Sequence, residues 1–414
     1  MPRFPMPALA LAALLVLAAV SHGFAGEDSP VYTLDEIIEV AMRENPSVAV
    51  FRANLDAARG EVTASRAYPN PEVEVGGSRG TSLETDESAA EFSISIGQPI
   101  EWPGKRLYRE KAARSALERR EIEKESFLIE LRYEVKAAFY RLLLANKEVE
   151  IAAENLTTVE KLLATVRARV EAGETPEFEL VKARVEKLKA GKALRSAEKK
   201  ALIAAARLNG LLGNALPAGF AVKGEFRSPV GGYSKEEILA RAFEDHPFIR
   251  AAKKQVELSR NELRREQESV MPDVTVRGFY DKEIDKKTVG LGISVPLPVW
   301  YRNSGEIASA SAALAQAQAD LHRTRVELSV ALDEALRDYE IALGQTEVFE
   351  EGLLEQARQA LRIAEFSYAQ GASGILDYLD AQRVYRETLL DYGRARFDLS
   401  LAIIDIERLS GEEE

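Results

Sequence analysis

Residues 128–170 read LIELRYEVKAAFYRLLLANKEVEIAAENLTTVEKLLATVRARV, and this stretch decides the fold. Apolar side chains recur along it at alternating spacings of three and four residues, the heptad pattern of a helix that packs lengthwise against a neighbour. With its flanks, the stretch predicts one helix over residues 105–171, roughly 100 Å long at about 1.5 Å per residue. A compact domain needs no rod of that length. The sequence therefore predicts a mainly α-helical protein with long helices, and an ordinary antiparallel coiled coil is an alternative.

The chain is built from two repeats. Residues 32–38 (YTLDEII) align with residues 233–239 (YSKEEIL), and the alignment continues without a gap for about forty residues. The first repeat is predicted over residues 26–231 and the second over residues 232–414. Each repeat reads as short helices, two strands, a very long helix, a glycine turn and a last helix. The other long helices are predicted over residues 176–209, 303–370 and 374–410.

Each repeat also carries two stretches in which apolar residues alternate with small or polar ones. These stretches lie at about residues 71–80, 90–99, 272–281 and 287–296. Val289, Leu291 and Ile293, for example, alternate with glycine and serine, as in a strand with one apolar face. Strands of about ten residues can cross a bilayer when they are tilted. Because four strands cannot close a barrel and lipid does not tolerate an open edge, a membrane sheet requires several chains; a small soluble sheet is the alternative.

The N-terminus has the pattern of a secretory signal peptide over residues 1–25. Arg3 precedes an uncharged apolar run at residues 8–20, and Gly23 and Ala25 each offer a cleavage point. The run is shorter than the roughly 20 residues that a membrane-spanning helix requires, and no later run is longer. The sequence thus predicts export without a helical membrane anchor. The chain contains no cysteine, which leaves no site for a disulfide or a lipid anchor.

Composition and motifs argue against catalysis and against nucleic acid as a partner. The formal net charge is -12, which disfavours binding to a polyanion. The three histidines are scattered, and the sequence shows no phosphate-binding glycine loop, nucleophile motif or metal-ligand spacing. We therefore expect no enzyme activity, no cofactor and no metal site.

Two motifs near the predicted helix turns carry a resemblance to a known family. Residues 368–371 read YAQG and residues 377–381 read DYLDA, and the first repeat has a degenerate copy at residues 170–183. This pattern resembles the hallmark of the TolC-like outer-membrane factors, and the resemblance covers nearly the whole mature chain. Residues 98–106 (QPIEWPGKR) and 295–306 (VPLPVWYRNSGE) resemble motifs of the CzcC-like branch, which serves heavy-metal efflux pumps.

The resemblance implies a homotrimer in which three chains form a twelve-stranded β-barrel in the outer membrane and an α-helical barrel across the periplasm. It also implies a passive exit duct in a tripartite efflux system, together with a periplasmic adaptor and an inner-membrane pump of the RND class. Heavy-metal cations are the expected cargo. Drug efflux and type I protein secretion are alternatives within the same class of duct. A soluble periplasmic coiled-coil scaffold is the alternative outside that class.

The resemblance further implies roles for side chains near the second turn. Asp377 and Asp380 are expected to line the constriction of the tunnel, where carboxylates from three chains would attract cations. Asp377 also lies near a helix start, where the helix dipole favours an acid regardless of any pore. Tyr368 and Glu179 correspond to a polar network that keeps the gate closed. Ser373 stands where the best-known relative has a basic residue, so we expect a weaker or differently wired latch.

Glycines and prolines mark the expected turns and junctions. Gly173 and Gly371 are expected to take turn conformations that let adjacent helices reverse. Pro99 and Pro296 fall where a strand passes into a helix, because proline neither donates to a sheet ladder nor continues inside a helix. A tryptophan follows each proline and fits either the lipid interface or packing against the helices; these are Trp102 and Trp300.

Overall fold

A computed structural model describes residues 30–229 and 231–411, and the signal peptide predicted over residues 1–25 lies outside the described part. In chain order the elements are β1 (Val31–Tyr32), α1 (Leu34–Glu44), α2 (Pro46–Ser65), β2 (Glu72–Thr81), β3 (Ser88–Ile100), α3 (Pro103–Glu171), α4 (Glu177–Leu211), β4 (Ala221–Val222), α5 (Lys235–Asp245), α6 (Pro247–Glu268), β5 (Val274–Lys282), β6 (Lys287–Ser294), α7 (Ser304–Val348), α8 (Leu354–Ala369) and α9 (Ile375–Ser410). A π-helical turn at Phe349–Leu353 separates α7 from α8. None of the helices in these two ranges is long and apolar enough to cross a membrane.

The heptad stretch folds as α3, a helix of 69 residues and therefore about 100 Å long. Pro103 occupies its first turn, where backbone N–H groups have no partner within the helix, so the missing N–H of proline costs no hydrogen bond. α4 packs against α3 along its length. α4 buries an alanine at every seventh position, and this small side chain lets the two helices approach closely; the buried alanines are Ala183, Ala190, Ala197 and Ala204.

The second long helix is interrupted, which corrects the prediction of one helix over residues 303–370. The π-helical turn contains Gly352 at φ 147°, a backbone angle that residues with a side chain rarely adopt. Glu350 in this turn accepts a hydrogen bond from the Tyr392 hydroxyl of α9 (3.1 Å). Arg396, one turn further along α9, donates to the same hydroxyl oxygen (3.1 Å). Glycine therefore supplies the unusual conformation, and α9 holds it in place.

The longer strands form one antiparallel sheet in the order β2-β3-β5-β6, so the two predicted hairpins lie side by side. The expected alternation is visible on β6, where Val289, Leu291 and Ile293 are 81%, 86% and 74% exposed. One face of the sheet is thus apolar and unpacked. β2 and β6 are the edges of this sheet.

The two junction prolines occupy different places. Pro99 is the next-to-last residue of β3 and lies opposite Thr275 of β5. The pairing of β3 with β2 ends at Gly97, so Pro99 stands where β3 has a neighbouring strand on one side only. Pro296 lies two residues beyond β6, in the segment that leads to α7. The first proline therefore belongs to the sheet, whereas the second belongs to the connection.

Buried apolar side chains form three clusters along the long helices. The first joins α1, α3 and α4 around Phe139 and Leu208. The second joins α5, α7 and α9 around Leu332 and Ile403. The third lies at the far ends of the helices and includes Tyr368. The short strands β1 and β4, which the sequence did not predict, pair in parallel beside the first cluster.

The same kind of helix cap occurs at the start of α2 in the first repeat and of α6 in the second. Asn45 accepts a hydrogen bond through Oδ1 from the backbone N–H two residues later (2.8 Å) and donates through Nδ2 to the carbonyl of Leu211 (2.9 Å). His246 occupies the same place in the second repeat. Its Nδ1 accepts from the backbone N–H two residues later (3.2 Å), and its Nε2 lies 3.2 Å from the carbonyl oxygen of Arg408. Each cap ties the start of one helix to the end of the last helix of its repeat.

The long helices pack in a defined order. α3 packs against α4 and also against α6 and α9, and α9 packs in turn against α7 and α8. α4 therefore lies at one end of this order, and α7 and α8 lie at the other. The strands follow the same order across the sheet as the helices do. The edge strand β2 belongs to the hairpin that precedes α3, and the edge strand β6 precedes α7.

Candidate gate at the helix tips

Two glycines close the turns after α3 and after α8, which are called the helix tips below. Gly173 has φ 75° and Gly371 has φ 73°, in the left-handed region that favours glycine. In both turns the glycine N–H donates to the carbonyl three residues back, and the next N–H donates to the carbonyl five residues back. This is the Schellman pattern of a helix end. Each tip glycine and these backbone hydrogen bonds therefore end the helix at both tips.

Tyr368 links the two helix tips. Its hydroxyl donates to Glu179 Oε2 at the start of α4 (3.4 Å), and its ring stacks on Tyr378 of α9 with centroids 5.9 Å apart. Burial, and secondarily the neighbouring Glu179 carboxylate, raise the pKa of Tyr368. Burial raises the pKa of Tyr378 to about 12. Both phenols are therefore neutral hydrogen-bond donors near pH 7. The structure brings Tyr368 and Glu179 into contact, and their role in a gate stays a prediction.

Arg169, in the last turn of α3, holds the end of α8. Its Nη1 donates to the carbonyl of Tyr368 (3.0 Å) and its Nη2 to the carbonyl of Ala369 (2.6 Å). Its guanidinium carbon also lies 5.1 Å from the centroid of the Tyr368 ring. Carbonyls at the end of a helix attract a cation, because they carry the negative end of the helix dipole. Sequence reasoning missed Arg169, since a basic residue near the end of α3 is already explained by its own helix.

Thr175 and Ser373 occupy matching positions, two residues after each tip glycine. Both hydroxyl oxygens are buried and have no hydrogen-bond partner among residues 30–229 and 231–411. Ser373 therefore takes no part in a polar latch within the described chain. The cation near Tyr368 comes instead from Arg169 of the first repeat.

Asp377 and Asp380 lie exposed on the first turns of α9. Asp377 accepts a hydrogen bond from the backbone N–H of Gly374 (3.3 Å), so its carboxylate caps the start of the helix. Asp380 pairs with Arg383 one turn further on (2.6 Å), and Arg383 also reaches Glu387 (3.2 Å). Within the described residues, no hydrogen bond or ion pair joins either aspartate to the tyrosine–glutamate contact. The helix-cap interpretation of Asp377 therefore has a local basis, and Arg383 offsets the charge of Asp380.

The tryptophans at the two strand–helix junctions differ in their surroundings. Trp102 donates its ring N–H to Glu268 of α6 (2.8 Å) and its backbone N–H to Asp273 (2.9 Å). Trp300 is 96% exposed, and Leu297 beside it is 72% exposed. Trp102 is therefore held by two hydrogen bonds and is 39% exposed, whereas Trp300 presents nearly its whole ring to the surroundings.

These features together define a class of protein. No group of three or more His, Asp or Glu side chains in the described part of the chain is placed to hold a metal ion. A sheet with an unpacked apolar face continues into long helices, of which α3 is about 100 Å long. The combination is that of a membrane channel subunit with a long helical extension.

The chain belongs to the outer membrane efflux protein family, whose model matches residues 37–214 and 238–412. The cobalt-zinc-cadmium resistance protein CzcC of Cupriavidus metallidurans is 26% identical over 384 residues, which cover 92% of this chain and 90% of that protein. The pyoverdine export outer membrane protein OpmQ of Pseudomonas putida is 24% identical over 391 residues, covering 84% of this chain and 79% of that protein. Among solved structures, CusC matches with a TM-score of 0.78 at 17% identity over 91% of both chains.

These similarities confirm the predicted family, its CzcC-like branch and the predicted fold class. The chain is thus an outer-membrane efflux channel protein whose helices extend into the periplasm. The two matched ranges correspond to the two repeats of the chain.

Proposed function

We propose that three copies of this chain form a passive exit duct for heavy-metal cations, supplied by an inner-membrane RND-type pump through a periplasmic adaptor. The observation that carries the proposal is the four-stranded sheet with edges at β2 and β6. Lipid does not tolerate an unpaired edge, so the β6 edge of one copy must pair with the β2 edge of another. Because the sheet has an even number of antiparallel strands, this pairing is antiparallel as well. Three copies then supply the twelve strands that the family resemblance implies.

The cargo is proposed from the relatives. CzcC carries the name of a cobalt-zinc-cadmium resistance protein, and it is similar to this chain over nearly the full length of both. We assign the choice of metal, and the energy for export, to the pump. OpmQ carries the name of a pyoverdine export protein, so an organic molecule is the second candidate cargo.

In the proposed duct the helix tips form the gate. Arg169 and Glu179 of the first repeat hold Tyr368 of the second, so the two tips of one chain move together or separate by breaking these contacts. Asp377 and Asp380 of three chains place six carboxylates around the tunnel axis. Such a ring attracts cations, although Arg383 beside each Asp380 weakens its field.

Conductance measured in planar bilayers tests the acidic ring. We expect the double variant Asp377→Asn, Asp380→Asn to lose cation selectivity and to be blocked less by divalent ions. Asp391→Asn is the matched control, because Asp391 is also exposed on α9 and also pairs with an arginine three residues later (3.1 Å). Equal cation selectivity in wild type and in the double variant would show that the two aspartates do not line the constriction.

Growth of the host without this chain tests the cargo. We expect loss of tolerance to cobalt, zinc or cadmium salts, restored by the wild-type chain. If the strain keeps its metal tolerance but fails to export an organic molecule such as pyoverdine, the cargo is organic and the metal proposal is wrong.

A further inference from the structure

The register of the four long strands assigns each of their residues to one face of the sheet. Directly paired residues share a face, and successive residues along a strand alternate between faces. One row across the sheet reads Val75, Ile94, Tyr280 and Val289, and this face is the apolar one. The other face carries mostly glycine, hydroxyl-bearing and charged residues. Because the apolar band of a barrel in the outer membrane faces lipid, the apolar face is called the lipid face below and the other the lumen face.

The two ends of the sheet lie toward opposite sides of the membrane. α3 follows β3 and α7 follows β6, so the long helices adjoin the end of the sheet near Ile100 and Ser294. These helices extend into the periplasm. The hairpin loops at residues 82–87 and 283–286 are at the opposite end. That end therefore lies toward the cell exterior and is called the outer end below.

The charged side chains of β2, β3, β5 and β6 are sorted by sign between the two faces. All four acidic ones lie on the lumen face; they are Glu72, Glu74, Glu91 and Asp281. The charged residues of the lipid face are all basic and lie near the outer end; they are Arg79, Lys282 and Lys287. Arg277 is the basic residue on the lumen face of these strands, and it pairs with Glu74 (3.1 Å). Charges that only kept the strand ends hydrated would not be divided in this way.

Lys282 and Lys287 form the last cross-strand pair before the loop between β5 and β6. Both side chains are exposed, and neither has a hydrogen bond or ion pair within the described residues. The acidic residues of the loop, Glu283 and Asp285, form no ion pair with them there either. Like charges directly opposite each other destabilise a sheet, because their Cβ atoms are only about 5 Å apart. An anion from outside the chain accounts for this repulsive pair.

The lysine pair lies at the outer edge of the apolar band. The lipid face of β3 runs from Ile100 to Phe92, which are eight residues apart and therefore about 27 Å apart at about 3.4 Å per residue. In a strand tilted by about 40°, this length spans about 21 Å of membrane thickness, close to the apolar band of about 25 Å in such barrels. Phe92 is paired with Lys282. The lysine ammonium groups therefore reach the level of the lipid headgroups in the outer leaflet.

We propose that Lys282 and Lys287, together with Arg79, bind the phosphate groups of a phosphorylated glycolipid in the outer leaflet. Lysine binds phosphate as a point charge, and arginine adds two parallel hydrogen bonds. A phosphate between the two ammonium groups replaces their repulsion by two attractive contacts. The inference rests on the closed barrel of the proposed function, since only closure gives the sheet a lipid face, and it does not depend on the cargo.

The spacing of the basic groups indicates the kind of lipid. Arg79 on β2 and Lys282 on β5 are separated by β3, so they stand at least two strand spacings apart, about 10 Å. A single phosphodiester headgroup offers one charge and satisfies one of these two points. A headgroup in which sugars join two phosphates satisfies both. We therefore assign the site to a glycolipid that carries two phosphates.

Binding of bisphosphorylated lipid A to the purified protein in detergent tests the site. We expect wild type to bind this lipid more tightly than monophosphorylated lipid A or phosphatidylglycerol, as measured by native mass spectrometry. The double variant Lys282→Gln, Lys287→Gln should bind it roughly tenfold more weakly, because two exposed charge contacts to phosphate are lost. Arg277→Gln is the matched control, since Arg277 lies on the same strand as Lys282 but on the lumen face.

The three lipids distinguish the possible occupants. Equal binding of bisphosphorylated lipid A by wild type and by the double variant would show that the lysines do not hold the lipid. Phosphatidylglycerol that binds as tightly as bisphosphorylated lipid A, and equally through the two lysines, would overturn the assignment to a glycolipid. An equal loss in Arg277→Gln would show that the effect comes from net charge and not from the lipid face.

Reversing one charge separates lipid binding from folding. In detergent free of anionic lipid, Lys287→Glu should raise the unfolding temperature, because a repulsive cross-strand pair becomes attractive. The same variant should bind bisphosphorylated lipid A more weakly than wild type, since a carboxylate repels phosphate. If Lys287→Glu lowers both the unfolding temperature and lipid binding, the two lysines serve the sheet itself and the proposal is wrong.

The oligomeric state on an unheated gel separates this inference from the proposed function. A chain that stays monomeric in detergent and in bilayers would overturn both, because an open sheet has no lipid face. A trimer whose binding of bisphosphorylated lipid A does not depend on Lys282 and Lys287 would leave the duct in place and overturn the glycolipid site alone.

Discussion

Replacing Arg169 by glutamine should weaken the contact between the two helix tips, which in the proposed gate favours the closed channel. The substitution removes both hydrogen bonds from the guanidinium to the carbonyls at the end of α8 and the contact with the Tyr368 ring. Arg169 is half-buried, so water can partly replace what is lost. Each hydrogen bond then contributes about 1 kcal/mol, and the cation–π contact adds about 0.5–1 kcal/mol. The variant should therefore lose about 2.5–3 kcal/mol of the free energy that favours the closed tip in the proposed gate.

This loss predicts a measurable change in gating. Because about 1.4 kcal/mol corresponds to a factor of ten, the ratio of open to closed channels should rise roughly 60- to 150-fold. Single-channel recording in planar bilayers at low voltage measures this ratio as the fraction of time spent conducting. Arg169→Lys should lie between wild type and Arg169→Gln, since lysine keeps the charge but lacks the fork that reaches two carbonyls.

A neighbouring arginine provides the control. Arg167 is exposed in the same turn of α3, so Arg167→Gln should leave the open fraction near that of wild type. An open fraction unchanged in Arg169→Gln would show that the contact between α3 and α8 does not hold the tip closed. An equal rise in Arg167→Gln would show that loss of positive charge, and not the lost contact, causes the opening.

Three further predictions concern the cap, a tip glycine and the tryptophans. Burial lowers the pKa of His246 in the folded chain, so on acidification the unfolded chain takes up this proton first. The contribution of His246 to the free energy of unfolding should therefore be constant above about pH 6.5 and fall by at most about 1.4 kcal/mol per pH unit below it. His246→Asn should remove this part of the pH dependence in denaturant unfolding. Gly371→Ala should lower the free energy of unfolding by about 1 kcal/mol because of its left-handed φ, whereas Gly344→Ala inside α7 should raise it by about 0.5–1 kcal/mol. In Trp102→Phe, the remaining Trp300 should be quenched by brominated lipid; no quenching would place its ring away from the bilayer.

Much of the fold follows from sequence periodicity, because burial on one side repeats at the period of the element. The heptads of residues 128–170 specify α3, and alternation such as that of Val289 and Leu291 specifies the strands. The break at Gly352 leaves no such mark, since a single glycine is compatible with a continuous helix. Its conformation is held by Tyr392 and Arg396 of α9, contacts that only the tertiary structure creates.

The candidate gate was predictable only in part. The tip glycines and the contact between Tyr368 and Glu179 follow from motifs that remain close in the chain or match a family pattern. Arg169 escapes such reasoning because its partners are backbone carbonyls nearly two hundred residues away, and a carbonyl has no sequence signature. Arg383 likewise offsets the charge of Asp380. This ion pair could not be given a functional role from the sequence, because it resembles any surface ion pair.

The Schellman turns at the helix tips have a consequence for how such a protein can change over generations. Since backbone hydrogen bonds and one glycine reverse the chain at each tip, the exposed side chains of Glu174 and Ala372 contribute little to the reversal. Mutations at these two positions alter the chemistry of the outermost surface while the helices stay in register. Selection can therefore adjust what the tips touch without first having to repair the fold.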